Sequence, residues 1–125
     1  NFNPSWGFTS GAMISTLDDL HEWSVALGTG EGWVSPELQK ERVASMTSSA
    51  EGNTPEMAYA LGFGTANGWI GHTGELPGYN TSITYDPATG TSIVVMVNSD
   101  IPSDNKNPAP YISAQLQEAL AGAQK

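Results

Sequence analysis

Residues 79–98 read YNTSITYDPATGTSIVVMVN. Threonine, isoleucine, valine and tyrosine dominate both halves, and these residue types favour extended strands. The segment Asp86-Pro87-Ala88-Thr89-Gly90 between them has the composition of a turn. The stretch therefore predicts two antiparallel strands, over 79–85 and 91–98. The unbroken apolar run 93–97 indicates a strand that is covered on both faces.

Two further strands are predicted upstream of this hairpin. Residues 59–64, YALGFG, alternate in the manner of a strand, with glycines where a bulge or a close backbone approach is expected. The pair Asn67-Gly68 is a strong turn signal, and residues 69–74, WIGHTG, follow it as the next strand. The region from about 57 to about 98 thus predicts an antiparallel sheet of about four strands.

Helices are predicted on both sides of this sheet region. Ser15 or Thr16 can cap the start of a helix, and Gly28 lies where a glycine would end it. Between them, apolar residues recur at helical spacing, at Leu17, Leu20, Trp23 and Leu27. Ser35-Pro36 starts a second helix that runs to about residue 46. Residues 110–121 form the last helix, in which Ile112, Leu116 and Leu120 lie four residues apart.

The order of these elements predicts an α+β fold, with helices flanking an antiparallel sheet. The chain has 125 residues, enough for one small domain. Its helical part covers about 1–50, its sheet part about 57–98 and its terminal helix about 110–121. Residues 1–13, 47–55 and 99–110 are predicted as loops. The four tryptophans are expected in the core, whereas His21 is expected at the surface.

Charge and composition exclude several classes of function. The net charge is −9, and no Lys or Arg occurs between Arg42 and Lys106, so no basic stripe can form for nucleic acid or for an anionic membrane surface. No apolar run approaches the length of a membrane span. There is no cysteine, and the spacing of His21 and His72 does not suggest a metal pair, so we expect neither a metal nor another cofactor.

The low fraction of charged residues, 14%, has two interpretations. The surface is either the Ser/Thr/Asn-rich surface of a secreted domain or, in part, an interface with a partner. Both interpretations stay open on composition alone.

Four segments, in order, resemble the class C-type penicillin-recognising serine hydrolases, which include β-lactamases and D,D-peptidases. Residues 11–20, GAMISTLDDL, resemble the G-G-M-x-S-T-x-x-D-L segment of that family, and residues 59–64 resemble its Y-G-L-G-W strand. Residues 71–74, GHTG, followed by LPGY at 76–79, are similar to its third motif, H/K-T-G with a P-G-Y/F tail. The Asp86-Pro87 turn and the strand that ends at Asn98 also match.

The resemblance implies a partial β-lactamase/transpeptidase-like fold and a C-terminal position in a larger serine hydrolase. Of the three motifs that converge in this family, the chain carries the third; it has no Y-x-N, and its single S-x-x-K match is Ser103 to Lys106. That match lies in a Pro/Asn-rich loop with no apolar helix behind it to hold a nucleophile, so we interpret it as coincidental.

The resemblance also implies the site residues. His72, Thr73, Gly74 and Tyr79 would bind substrate: the imidazole as a hydrogen-bonding or charged group, the threonine hydroxyl on a carbonyl or carboxylate, and Gly74 by leaving the strand open. The backbone N–H of Glu75 would be the catalytic oxyanion donor. Regular alternation separates His72 from Thr73, so a twist or a bulge must re-aim them, or a ligand must bind along the strand edge.

The predicted function is an acyl-transfer serine hydrolase of which this chain is the C-terminal portion, acting on a peptide, β-lactam or ester. Some D,D-peptidases of the family that this chain resembles hold the C-terminal carboxylate of the substrate with an arginine on the strand before the third motif. Here that region reads Gly64-Thr65-Ala66 with no arginine nearby, which weakens the carboxypeptidase interpretation and leaves esterase, β-lactamase-like and D-amino-acid amidase activity open. The chain alone is expected to be inactive. Its partner would be the N-terminal part of the same hydrolase, and its location extracytoplasmic or secreted. The alternative is a non-catalytic binding module or a stable proteolytic fragment.

Overall fold

The computed structural model describes residues 3–46 and 51–123. It contains a short 3-10 helix, four α-helices and five strands. The helices are the 3-10 helix Pro4–Gly7, α1 (Phe8–Gly11), α2 (Leu17–Thr29), α3 (Pro36–Ala44) and α4 (Pro108–Ala123). The strands are β1 (Met57–Ala60), β2 (Phe63–Ala66), β3 (Trp69–Leu76), β4 (Tyr79–Asp86) and β5 (Thr91–Val97). The predicted α+β class is confirmed.

The five strands form one antiparallel meander in the order β1-β2-β3-β4-β5. The prediction of a single strand over residues 59–64 is wrong, because the chain turns there and makes two strands. Leu61 (φ 47°) and Gly62 (φ 84°) both adopt the left-handed conformation that a two-residue hairpin turn requires. The predicted turn at Asn67-Gly68 is present, with φ of 50° and 88°.

Helices cover both faces of the sheet. On one face α2 packs over β3, β4 and β5, where Leu27, Phe63, Ile70 and Ile83 form a buried cluster. On the other face α4 packs over β4 and β5, where Ala109 covers Ile93 and Val95. Since both helices contact β5, the prediction of a strand covered on both faces is confirmed for the run 93–95, although Met96 is exposed.

The start of α2 is as predicted, but its end is not. The Thr16 hydroxyl accepts a hydrogen bond of 3.2 Å from the N–H of Asp19, which makes Thr16 the N-cap. The helix runs past Gly28 to Thr29, and Gly30 (φ 81°) is the left-handed residue that ends it. Gly28 lies inside the helix against the ring of Tyr85, where a Cβ would collide with the ring carbons. Close packing therefore explains Gly28.

The buried side of α4 is not its apolar stripe. The helix begins at Pro108, two residues before the predicted start, and it buries the small residues Ala109 and Ser113 against the sheet. The stripe of Ile112, Leu116 and Leu120 is exposed, each side chain at 40–45%. Small side chains let the helix axis approach the sheet closely, so the larger apolar residues face outwards.

Two further predictions need correction. The expected loop over 1–13 contains the 3-10 helix and α1. The expectation of buried tryptophans fails for Trp6, Trp23 and Trp33, which are exposed, although Trp69 is partly buried against the cluster under α4. Residues 1–2 and 47–50 of the predicted loops lie outside the described residues.

Candidate functional site at the open edge of β3

The predicted site residues lie where β3 loses one of its neighbours. β4 pairs with β3 from Ile70 to Leu76, whereas β2 pairs with β3 only from Trp69 to Gly71. Within the described residues, the segment from His72 to Leu76 therefore has no strand beside it on the β2 side. This segment is called the open edge below.

The hairpin turn determines which backbone groups line the open edge. Pro77-Gly78 is a two-residue turn, so Leu76 and Tyr79 form the closing hydrogen-bonded pair of the hairpin. Hydrogen-bonded and non-hydrogen-bonded pairs alternate along an antiparallel ladder. Glu75, paired with Asn80, and Thr73, paired with Ser82, are consequently non-hydrogen-bonded positions. Their backbone N–H and C=O groups point away from β4, towards the open edge.

His72 is held at this edge by two hydrogen bonds. Its Nδ1 lies 2.5 Å from the carbonyl oxygen of Thr73, and its Nε2 lies 2.9 Å from the hydroxyl of Tyr59. The two rings meet edge to face, with centroids 5.5 Å apart. A carbonyl oxygen only accepts, so Nδ1 carries the proton, and Nε2 of the neutral ring accepts from the Tyr59 O–H.

Gly71 re-aims the strand just before this histidine. A Cβ at Gly71 would collide with the carbonyl oxygen of Ile83 on β4, so the bond that would carry a side chain points along the sheet instead of out of its plane. His72 follows this position, and its imidazole reaches across the open edge to Tyr59 on β1.

The remaining predicted residues have different surroundings. Thr73 and Gly74 are exposed, and a Cβ at Gly74 would meet only the Cβ of Thr81, at 3.8 Å. The Glu75 carboxylate accepts a hydrogen bond of 2.7 Å from Asn107 Nδ2, which ties the strand to the loop before α4. Tyr79 is 58% exposed at the end of the hairpin.

The structure divides these residues between two grooves. His72 and Thr73 lie in a groove of about 300 Å³ that Tyr59, Trp69 and Gln117 also line. A second groove, of about 520 Å³, separates the hairpin from the N-terminal segment; its lining includes Gly74, Glu75, Tyr79, Met13 and Ile14. The open edge lies between the two grooves.

The charges near the site are few. Among the described residues, neither groove is lined by Lys or Arg, and His72 is the basic side chain of the first groove. Arg42 is buried on the α2 side, between the rings of Trp33 and Phe63, and burial lowers the pKa of its guanidinium. His21 is exposed on α2, and the described residues contain no group of three His, Cys, Asp or Glu side chains that could hold a metal ion.

The S-x-x-K match does not form a catalytic helix. Ser103 and Lys106 pair across a tight turn, with hydrogen bonds of 3.1 and 2.9 Å between their backbones. The two residues between them, Asp104 and Asn105, have φ of 51° and 59°. All four residues are exposed, and Lys106 lies over the ring of Tyr111. Ser103 and Lys106 therefore do not lie on successive turns of a helix, where the lysine side chain would approach the serine hydroxyl.

Comparison with protein-family models gives a match to the Beta-lactamase family over residues 2–117. The chain belongs to the Beta-lactamase family. No curated protein and no solved structure matches the chain. The family match spans the helices, the whole sheet and most of α4, so all of the predicted site residues of this Beta-lactamase family chain fall inside it. No described helix is both long and apolar enough to cross a membrane.

Sequence reasoning missed two residues of this Beta-lactamase family site. The sequence presents Tyr59 only as part of a strand motif and Asn53 only as part of a loop. Asn53 accepts from the N–H of Tyr59 at 2.9 Å and donates to its carbonyl at 3.2 Å, so it fixes the tyrosine backbone at the sheet edge. No spacing rule reveals the contact of Tyr59 with His72, because it depends on the turn at Leu61-Gly62, which places β1 and β2 beside β3.

Proposed function

We propose that this chain is the C-terminal portion of an acyl-transfer serine hydrolase of the Beta-lactamase family and that its open edge binds the acyl substrate. The observation that carries the proposal is the backbone of Thr73 and Glu75: the N–H groups of both residues and the carbonyl of Glu75 point to a side of β3 that no described strand occupies, while the Thr73 carbonyl accepts from His72 Nδ1. Such groups can pair with the backbone or amide of an extended ligand. Membership of the family supports the reaction class.

The side chains at the edge suit a peptide, β-lactam or ester. The Thr73 hydroxyl is exposed and can hydrogen-bond a carbonyl or carboxylate, and Gly74 leaves room for the ligand backbone. The N–H of Glu75 would donate to the developing oxyanion. Tyr79 would contact the ligand from the second groove.

The hydrolase activity would require the serine, lysine and tyrosine motifs from another part of the protein. The exposed apolar side chains support an interface with that part. They include Phe8 at 81%, Met13 at 90% and Ile14 at 89%, beside the second groove, and the outer stripe of α4. We also propose an extracytoplasmic location, as for many members of this family.

A titration of the isotopically labelled chain with benzylpenicillin tests the binding site. The backbone amide signals of residues 72–76 should shift, and Thr73→Val should weaken the affinity by about 2- to 10-fold, since one hydroxyl contact is lost. Thr91→Val, on the far end of β5, is the matched control and should leave the affinity unchanged. Binding that shifts no signal along the open edge would contradict the site.

Mass spectrometry of the same mixture tests whether the nucleophilic serine lies outside this chain. The chain alone should acquire no penicilloyl group and should not hydrolyse an ester reporter. A stoichiometric adduct on a serine, Ser103 above all, would overturn the proposal that the nucleophile lies elsewhere. If co-expression with a segment that carries S-x-x-K and Y-x-N motifs restores hydrolysis, the enzyme is supported over the alternative of a non-catalytic binding module.

A further inference from the structure

The two ring nitrogens of His72 are both engaged inside the chain. Nδ1 donates to the Thr73 carbonyl at 2.5 Å and Nε2 accepts from the Tyr59 hydroxyl at 2.9 Å. A ligand at the open edge therefore does not meet an unoccupied imidazole nitrogen while the ring is neutral. The group that remains available is the Tyr59 hydroxyl, whose side chain is 53% exposed in the first groove.

The fold brings Tyr59 and His72 together across two glycines. Tyr59 pairs with Gly64 on β2, and Gly64 pairs with Gly71 on β3. The tyrosine ring lies across Gly64, where an added Cβ would come within 3.1 Å of a ring carbon and 3.0 Å of the Ala58 carbonyl oxygen. A side chain at Gly64 would meet the tyrosine ring, so the glycine leaves room for the ring to lie across β2 towards His72.

We propose that Tyr59 is a specificity-determining residue of this site and that His72 acts on the ligand through the Tyr59 hydroxyl. With a neutral imidazole, the tyrosine donates its proton to Nε2 and offers the ligand only oxygen lone pairs. With a protonated imidazole, Nε2–H donates to the tyrosine oxygen, and the phenolic O–H turns to the ligand as a donor. The protonation state of His72 thus decides which kind of ligand group the pair accepts.

The ligand class that follows for the protonated pair is a carboxylate. The pair then carries a positive charge and presents a hydrogen-bond donor, in a groove that no Lys or Arg of the described part of the chain lines. The carboxylates on the surrounding elements are Glu75, held by Asn107, the exposed Glu51 and Glu56 on either side of Asn53, Asp86 at the end of β4, and Glu118 on α4; β4 also carries the phenols of Tyr79 and Tyr85. The residues opposite His72 on β4 are uncharged. This inference rests on the proposed binding function of the open edge.

The hydrogen-bond arrangement can be tested without a ligand. In ¹⁵N spectra of the chain with a neutral His72, Nδ1 should be protonated and Nε2 unprotonated. Tyr59→Phe should move the Nε2 signal towards that of His21, the exposed internal reference, while Tyr111→Phe should leave it in place. A wild-type His72 protonated at Nε2, or a Tyr59→Phe spectrum identical to the wild type, would overturn the inference.

Two small probes test the specificity. With His72 protonated, a state that the same ¹⁵N spectra identify, phenylacetate should shift the amide signals of Thr73 and Gly74, and Tyr59→Phe should weaken its affinity by about 3- to 10-fold. The affinity for phenylacetamide, the neutral control, should change by less than about twofold with the same substitution. Equal or tighter binding of phenylacetate by Tyr59→Phe would show that His72 acts directly. If neither probe binds to the wild type, the proposed binding site fails, while the ligand-free spectra still decide whether Tyr59 holds His72.

Discussion

The side-chain oxygen of Asn80 accepts a hydrogen bond of 2.8 Å from the backbone N–H of Ala109, and both residues are buried. Asn80 lies at the start of β4, two residues after the Pro77-Gly78 turn, and Ala109 lies in the first turn of α4. The first N–H groups of a helix have no partner inside the helix, so the asparagine provides one. The contact connects the β3–β4 hairpin, which carries the open edge, to α4.

Asn80→Ala should therefore destabilise the chain by about 1–3 kcal/mol, because it leaves the N–H of Ala109 buried without an acceptor. Urea unfolding followed by circular dichroism measures this loss. Asn98→Ala, which removes the same side chain at an exposed position just after β5, should stay within about 0.5 kcal/mol of the wild type. Equal stability of the two variants would show that the Asn80–Ala109 contact contributes nothing.

The two glycines on either side of His72 and Thr73 should respond differently to alanine. Gly71→Ala forces a Cβ into the Ile83 carbonyl and should cost at least about 2 kcal/mol or abolish folding. Gly74→Ala meets only ordinary contact at 3.8 Å, so the variant should keep its stability within about 0.5 kcal/mol.

A stable Gly74→Ala variant then becomes a clean probe of the open edge. The added methyl group should weaken benzylpenicillin binding, because it narrows the space that a ligand backbone would occupy. Thermal unfolding and the amide titration, measured on the same sample, separate the two effects. Unchanged binding by a correctly folded Gly74→Ala would mean that ligands do not approach this face of β3.

Arg42 should stabilise the chain through packing more than through charge. Its guanidinium lies 4.3 Å from the Trp33 ring centroid and 4.1 Å from that of Phe63, and it donates to Gln39 Oε1 at 2.6 Å. Arg42→Ala removes these contacts and leaves a cavity, at a cost of about 2–4 kcal/mol. Arg42→Met keeps most of the volume and should lose about half as much. Denaturant titration compares the stability of the two variants, with Lys40→Ala at an exposed position as the control. An equal loss of stability in Arg42→Ala and Arg42→Met would assign the contribution of Arg42 to its charge.

The exposed stripe of Ile112, Leu116 and Leu120 should make the isolated chain associate. Apolar patches of a few hundred Å² commonly mark interaction surfaces. Sedimentation velocity over a concentration series should show reversible self-association that Leu116→Glu reduces. Ala114→Glu introduces the same charge on a different side of α4 and should have little effect. A wild-type chain that stays monomeric throughout would count against an interface on this helix.

The sequence by itself determined the class of the fold, because local signals were consistent along the chain. Turn pairs such as Asn67-Gly68, the Thr16 cap and the alternating runs of β4 and β5 depend only on neighbouring residues. The order of motifs around His72 likewise indicated the family that the comparison with family models found. Local patterns were misleading where the same residues are compatible with a strand and with a turn, as at Leu61-Gly62, where a turn interrupts the predicted strand.

The tertiary structure alone decided which surfaces are covered and which groups meet at the site. Helical spacing correctly placed Ile112, Leu116 and Leu120 on one side of α4, but whether that side faces the sheet depends on how closely Ala109 and Ser113 let the helix approach. The contact between Tyr59 and His72 joins residues 13 positions apart through three paired strands. Such a contact depends on the register and the twist of the sheet, and these follow from packing over the whole domain, which no local stretch of sequence encodes.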